Sequence, residues 1–555
     1  MPPSMPDAPD QSGPPKSSVA RRMGLLSAGT LLSRVLGMAR ETLIAAAFPL
    51  GATDAFFIAW RIPNALRALL AEGALSSAFV PVFSEALRRG PRAFTLRTGD
   101  EPQADEGSRH DALREAISRI RAASLLVLIP LSALGVLFAE PVLRATAGDF
   151  NGDRARFTLA VSLLRWLFPY IFFMGTAAVG IGALQSVGRV AALAFAPALL
   201  NVAFLLAPAI FVPVCVRAGL PAIHGLAFAA LLGGLLQLLA LVPALHRAGL
   251  RPRPVLDLRH PAVRRAGALL APGIFGLAIY QIDVVLSNRF LSSLPTGAAS
   301  YFNYAQRLAD IPQGVFILAV SNAFLPELAG AFAAGDRAKA SELLTRMVRI
   351  AAFVAVPVAA VLATYGEAVV PLIYGYGRFR LLGSAGVAEV VRSLRWQAGN
   401  VALLALVRQF TATYAAAQDP RGPVWISFVD LLAFVALAWA LRGPMGHAGV
   451  AAAIAGSTLV QLALLVVGVR RHVSPDWRSL AKALLRIVAA SVPPAVAAVL
   501  LTRSVDFARP GLGVRFVAVG GGVALGAVYV LAAWMLRVEE VRVVAEMLRR
   551  RLRRR

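Results

Sequence analysis

Apolar stretches long enough to cross a bilayer follow one another almost without interruption from Met23 to Val538, and this pattern constrains the chain more than any other. Of 555 residues, 58% are apolar and only 15% charged, and mean hydropathy is +0.67. A soluble globular enzyme is excluded. In hydrocarbon a helix satisfies its own backbone polar groups, so the chain reads as an all-α polytopic membrane protein. Breaking the apolar runs at charge, Pro and Gly clusters gives fourteen spans: 24–48, 54–84, 122–143, 158–186, 191–214, 222–246, 267–291, 298–330, 347–373, 393–417, 423–441, 447–469, 484–502 and 513–536.

The formal charge of +26 would suggest a nucleic-acid partner in a soluble protein. Here the basic residues lie mostly in loops, where they set orientation, and no nucleic acid is expected. Of the 56 Lys and Arg residues, 36 fall in segments on the N-terminal side and 13 on the other, which places both termini in the cytoplasm. With residues up to three from a span end counted to the adjoining segment, seven remain deep within spans: Arg34, Arg40, Arg61, Arg67, Arg165, Arg307 and Arg408.

Residues 1–22, rich in Pro and Ser, lack the apolar core of a cleaved signal and read as a disordered cytoplasmic leader. Residues 538–555 alternate apolar and basic residues and read as an amphipathic cytoplasmic tail on anionic lipid. Cys215 is the only cysteine, so neither an intramolecular disulfide nor a thiolate metal cluster can form. No Walker A motif, Ser/His/Asp set or metalloenzyme motif is present, which argues against a pump or a membrane enzyme and for a transporter without a chemical step.

An internal repeat organises the spans. SSAFVPVFSEAL (Ser76 to Leu87) recurs 245 residues later as SNAFLPELAGAF (Ser321 to Phe332), and SLLRW at Ser162 is answered by RSLRW at Arg392. The simplest account is two pseudo-symmetric six-helix lobes, 23–246 and 247–471, followed by two further helices at 472–537. Such repeats place a substrate path at their interface.

An arginine at mid-bilayer costs several kcal/mol unless it faces water or a partner. Arg34 lies ten residues into the first span, about 15 Å deep. Arg40 stands six residues further on; Arg61, Asn64, Arg67, Asp54 and Glu72 belong to the second span; Arg307 and Asp310 lie one turn apart on the eighth. Snorkelling or local pairing would equally explain Arg61, Asp54 and Arg165. Several arginines with few compensating acids would form a cationic chamber, suited to a phosphate-bearing anion that guanidinium groups grip bidentately. Asp283, Asp430, Ser457 and Thr458, in the seventh, eleventh and twelfth spans, are candidates for a coupling cation, with local helix pairing as the alternative.

Three segments carry a family resemblance. LLSRVLGMARET (Leu31 to Thr42), ATDAFFIAWRIPNALRALLAEGALSSAFVPVFSE (Ala52 to Glu85) and YFNYAQRLADIPQGVFILAVSNAFLPEL (Tyr301 to Leu328) closely resemble the signature segments of the MurJ (MviN) lipid II flippases of the multidrug/oligosaccharidyl-lipid/polysaccharide exporter superfamily. The resemblance implies fourteen spans and passage of lipid II, the undecaprenyl-pyrophosphate-linked peptidoglycan precursor, from the inner to the outer leaflet of the bacterial cytoplasmic membrane by alternating access. It implies cavity roles for Ser33, Arg34, Arg40, Asp54, Asn64, Arg67, Glu72, Ser300 and Arg307, with Arg61 where many members have lysine. Glu41 stands where many have aspartate, Asp310 where some have glutamate, and Gln306 replaces a common aspartate. It further implies a lipid-tail groove on the last two spans, coupling to Na+, H+ or membrane potential, and cell-wall synthesis or division proteins as partners. The competing readings are a flippase for another lipid-linked glycan, a drug exporter of the same superfamily, and a non-transporting scaffold for cell-wall enzymes.

Overall fold

In the computed structural model, which describes residues 16–69, 75–94, 105–189, 191–251, 253, 255–313, 318–509 and 511–541, every described secondary-structure element is helical. Helix occupies each of the fourteen expected spans. Nine are single helices: the first (Lys16–Ala47), fifth (Ala191–Arg217), sixth (His224–Arg247), seventh (Pro261–Ser292), tenth (Gly383–Ala416), eleventh (Arg421–Met445), twelfth (His447–Val469), thirteenth (Trp477–Ser504) and fourteenth (Leu512–Met535). Five are composite: the second (Leu50–Arg67 and Leu75–Arg89), third (Glu106–Leu137 and Ala139–Ala147), fourth (Arg154–Leu167 and Tyr170–Ser186), eighth (Ala298–Pro312 and Leu318–Ala333) and ninth (Arg337–Thr364 and Gly366–Tyr374). Among the described residues nine spans are long and apolar enough to cross a membrane on composition alone. The first, second, seventh, eighth and tenth fall short, and these five supply all the charged residues of the central chamber described below except Asp430 of the eleventh. Helix begins at Lys16, inside the segment expected as leader; residues 1–15 and 542–555 lie outside the described residues.

Short polar devices start and stop these helices. Asp105, Asp153, Asp336 and Asp476 each accept a backbone N–H from two or three residues ahead, an N-cap that stabilises a helix start by about 1 kcal/mol. Gly446, at φ +61°, is the single residue between the eleventh and twelfth spans, a left-handed turn that glycine adopts without steric cost.

The two lobes repeat one packing scheme. The fifth span packs along the sixth as the eleventh does along the twelfth, the fourth meets the sixth as the tenth meets the twelfth, and the third meets the fourth as the ninth meets the tenth. The thirteenth lies on the ninth and the fourteenth on the thirteenth. Arg349 of the ninth span fixes the end of the fourteenth by ion pairs to Glu539 (2.7 Å) and Glu540 (2.5 Å), and the Tyr529 hydroxyl donates to the Phe353 carbonyl at 2.7 Å. Outward faces are apolar: Trp425, Trp439 and Phe516 are about 70% exposed, as lipid-facing side chains are.

The lobes touch at the end opposite the termini, here the far end. Gly377, in the segment after the ninth span, lies so close to the first span that a Cβ would collide with the Ala46 carbonyl oxygen. Below this contact an aromatic layer closes the interface: Phe57 stands edge-on to Tyr304 at 5.7 Å, Tyr304 packs on Tyr374 at 4.9 Å, and the Tyr374 hydroxyl donates to the Tyr304 carbonyl.

Candidate functional site

Beneath the aromatic layer a cavity of about 890 Å³ lies between the lobes, reaching from Arg40 and Phe57 at mid-depth to Ala415, Pro423 and Gln461 toward the near end. Its most connected group is a three-residue charge cluster. Glu41 accepts from Arg40 at 2.6 Å and from Arg307 at 3.1 Å, so one carboxylate joins the first span to the eighth. Arg307 also pairs with Asp310 at 3.7 Å, the one-turn pairing that the sequence spacing suggests. Gln306 takes up a role of its own, donating to Asp310 at 3.3 Å.

Arg40 is buried, donates to the Asn201 side chain of the fifth span at 3.1 Å and lies 5.1 Å from the Phe204 ring centre. Asn201 in turn donates to the carbonyl and hydroxyl of Ser33, at 2.9 and 3.3 Å. Arg34 reaches the Asp310 carbonyl at 3.4 Å. Arg61 lines the cavity, donating to Asn303 at 3.4 Å and lying over Phe302, and Arg67 donates to Asn64 at 3.1 Å. The Arg307 side chain keeps 36% of its surface exposed, so of the clustered arginines it is the one presented to the cavity.

The facing wall is acidic. Asp283 and Asp430 line the same cavity, near enough for their charges to interact, and one oxygen of each has no protein partner. Ser457 and Thr458 line it too, with hydroxyls donating to the Ile454 carbonyl at 3.2 and 2.8 Å, which leaves their lone pairs available. Among the described lining residues four arginines, Arg40, Arg61, Arg307 and Arg408, stand against four carboxylates, Glu41, Asp283, Asp310 and Asp430. The expectation of arginines with few compensating acids is thereby corrected: the lining charges balance, with Arg40, Arg61 and Arg307 on the first, second and eighth spans, Arg408 on the tenth, and two carboxylates, Asp283 and Asp430, on the seventh and eleventh.

Asp54 and Ser300 are not brought to the cavity. Both are fully buried at the far end, where Asp54 accepts from the Gly297 N–H (2.6 Å), the Ser300 N–H (2.7 Å), the Ser300 hydroxyl (2.6 Å) and Arg156 (3.3 Å). Asp54 thus caps the N-terminus of the eighth span from the other lobe, the local-capping alternative, played across lobes. Glu72 lies outside the described residues, and Arg165 is exposed on the surface. Asn201 and Arg156 escaped sequence reasoning, because an asparagine in an apolar run and an arginine just ahead of one become informative only through partners over 100 residues away.

A model of the family described as lipid II flippase MurJ matches residues 44–516. The chain belongs to this family. It is 33% identical over 466 residues to the lipid II flippase MurJ of Burkholderia cenocepacia, covering 82% of this chain and 86% of that one. It is 30% identical over 541 residues to a probable lipid II flippase MurJ of Bdellovibrio bacteriovorus, covering 95% and 96%. The fold is shared with a lipid II flippase MurJ solved in an inward closed conformation, with TM-score 0.72 at 20% identity over 93% of this chain and 99% of that one. It is also shared with an inward-facing multidrug resistance MATE family transporter of the MOP superfamily, with TM-score 0.61 at 15% identity over 81% and 96%. Membership makes the chain a multi-pass membrane protein of a transporter family.

Proposed function

We propose that the chain flips lipid II from the inner to the outer leaflet of the bacterial cytoplasmic membrane, with both termini in the cytoplasm and without a chemical step. The observation that carries this reading is the Arg40–Glu41–Arg307 cluster at the head of a cavity between two lobes, in a member of a lipid II flippase family. A pyrophosphate can displace Glu41 from the exposed guanidinium of Arg307, exchanging one anion for another while the charge stays compensated. The polyprenyl tail remains in lipid beside the thirteenth and fourteenth spans. Closure at the far end and depth toward the near end suit loading from the cytoplasmic side. Release follows when the lobes rock to a state of lower affinity for the head group.

Asp283, Asp430, Ser457 and Thr458 offer two carboxylates and two hydroxyls, an all-oxygen donor set that fits a hard cation such as Na+. Bound there, a cation would supply the positive charge that the acidic wall lacks. A rise in melting temperature of the purified protein with Na+ over K+, absent in Asp283→Asn, is the expected readout.

The deciding experiment measures lipid II on the outer face with a toxin that cleaves it only there. Depletion of the chain should abolish the cleavable pool while synthesis continues. An unchanged pool would overturn the reading, and failure of a different glycan to reach the surface would replace it.

A further inference from the structure

Where the lobes meet at the far end, the segment from Ser292 to Ser300, which joins the seventh and eighth spans, is held by two charged residues of the opposite lobe. Asp54 takes its donors, the Gly297 and Ser300 N–H groups. Arg156, at the start of the fourth span, takes its acceptors: Nη2 donates to the Ser292 carbonyl at 3.3 Å and the Leu294 carbonyl at 3.2 Å. The two side chains pair with each other at 3.3 Å and are almost wholly buried. One turn of backbone is therefore gripped by its amides and by its carbonyls at once, each by the charge that suits it.

The Arg156 side is built at a conformational cost. The same Nη2 donates to the Phe150 carbonyl at 3.4 Å, and the guanidinium lies 5.2 Å from the Phe150 ring centre. Phe150 and Asn151 occupy left-handed backbone, at φ +58° and +54°. A buried phenylalanine there is an outlier that persists only where its surroundings over-determine it.

We propose that Arg156 is a positioning residue for alternating access, the reversible clamp that holds the outer gate shut while the inner chamber loads. This rests on the flippase reading for its direction, outer against inner. Both charges belong to the same lobe, so when the gate opens they part from the 292–300 segment together and stay paired with each other. No lone buried charge is left on either side, which keeps the energy gap between the two states small enough to cross in both directions. Without Arg156, the closed gate would bury Asp54 facing only neutral donors, and the open, hydrated state would gain.

The test reads gate closure directly and needs no substrate. A Cβ at Gly51 would lie 3.4 Å from Thr296 Cγ2 across the gate, so a Gly51→Cys/Thr296→Cys pair in a Cys215→Ala chain should cross-link on mild oxidation when the gate is shut. In intact membranes Arg156→Gln should slow this cross-linking several-fold at unchanged membrane level. Adding Asp54→Asn should restore part of it, because the charge that demanded a partner is gone. Arg156→Lys, which keeps the charge but cannot fork to two carbonyls, should fall between. Wild-type cross-linking in Arg156→Gln would overturn the clamp. If that variant fails to reach the membrane, wild-type cross-linking in Arg156→Lys overturns it instead. Loss of outer-face lipid II is measured separately, so a failed flippase reading with an altered gate, or the reverse, remains distinguishable.

Discussion

The basic and acidic walls of the chamber carry intramembrane charge in different ways. Arg40 and Arg307 are tied down by Glu41, Asn201 and Asp310, so their charge is compensated by the protein before any ligand arrives. Asp283 and Asp430 face each other's charge, with an oxygen apiece that no protein group satisfies. A buried polar atom without a partner costs about 1–3 kcal/mol, so the acidic wall gains more from a small incoming cation than the basic wall does. Arg40 and Arg307 can only exchange partners, which suits a large anion that must be bound and then released.

The largest effect should come from removing the exposed member of the basic wall. Arg307→Ala leaves Glu41 and Asp310 short of a partner, a loss of roughly 3 kcal/mol that corresponds to about 100-fold or more in transport. It should abolish complementation of a flippase-depleted strain at normal membrane level. Arg307→Lys should rescue poorly, since an ammonium cannot grip phosphate as a fork. Full activity in Arg307→Ala would reduce the basic wall to structural pairing. Next, Glu41→Gln leaves Arg40 and Arg307 with Asp310 as their one remaining carboxylate and should lower transport about tenfold while tightening binding of a pyrophosphate head group, because the competing anion is gone. Weaker binding would mean that Glu41 is not the group the ligand displaces. Asp430→Asn should abolish any dependence of outer-face lipid II on a Na+ gradient while retaining a basal rate, a milder defect than either of these. A variant that still responds to the gradient would remove the cation from the comparison. The smallest effect is expected for Arg165→Gln, within about 0.5 kcal/mol of wild type in stability and with normal transport, since Arg165 is exposed outside both walls. The orientation shared by both walls is checked by cysteines at Ser108 and Gly152, which should react with an impermeant reagent from opposite sides of the membrane.

The helical spans were legible because apolar length is a local property, and the repeat was legible because its prolines and arginines recur at nearly constant offset. Arg307 with Asp310 was legible for the same reason, being one turn apart on one helix. Asp54 was not. Its position in an apolar span resembles that of a ligand-binding acid, but its bonds go to a helix start some 243 residues away in the other lobe and to Arg156 of its own. The offset of 246 residues that separates Asp54 from Ser300 also separates Arg61 from Arg307; the first pair meets at the far end, and the second lines the chamber. Net charge misled in a similar way. A chain at +26 suggests a uniformly basic interior, but most of that charge lies in loops, and the acids of the seventh and eleventh spans reach the chamber only through the crossing of helices distant in sequence.

The double ion pair from Arg349 to Glu539 and Glu540 makes the last two spans an outrigger of the second lobe. The thirteenth helix has 28 residues and is therefore about 42 Å long. If the second lobe pivots at the far-end contact by about 15°, the size of known rigid-body subunit rotations, the near tip of this outrigger sweeps about 11 Å through the inner leaflet. A long hydrocarbon chain resting against it would be towed sideways in the membrane plane as its head group changes sides, so that both ends of one lipid are driven by a single rigid lever.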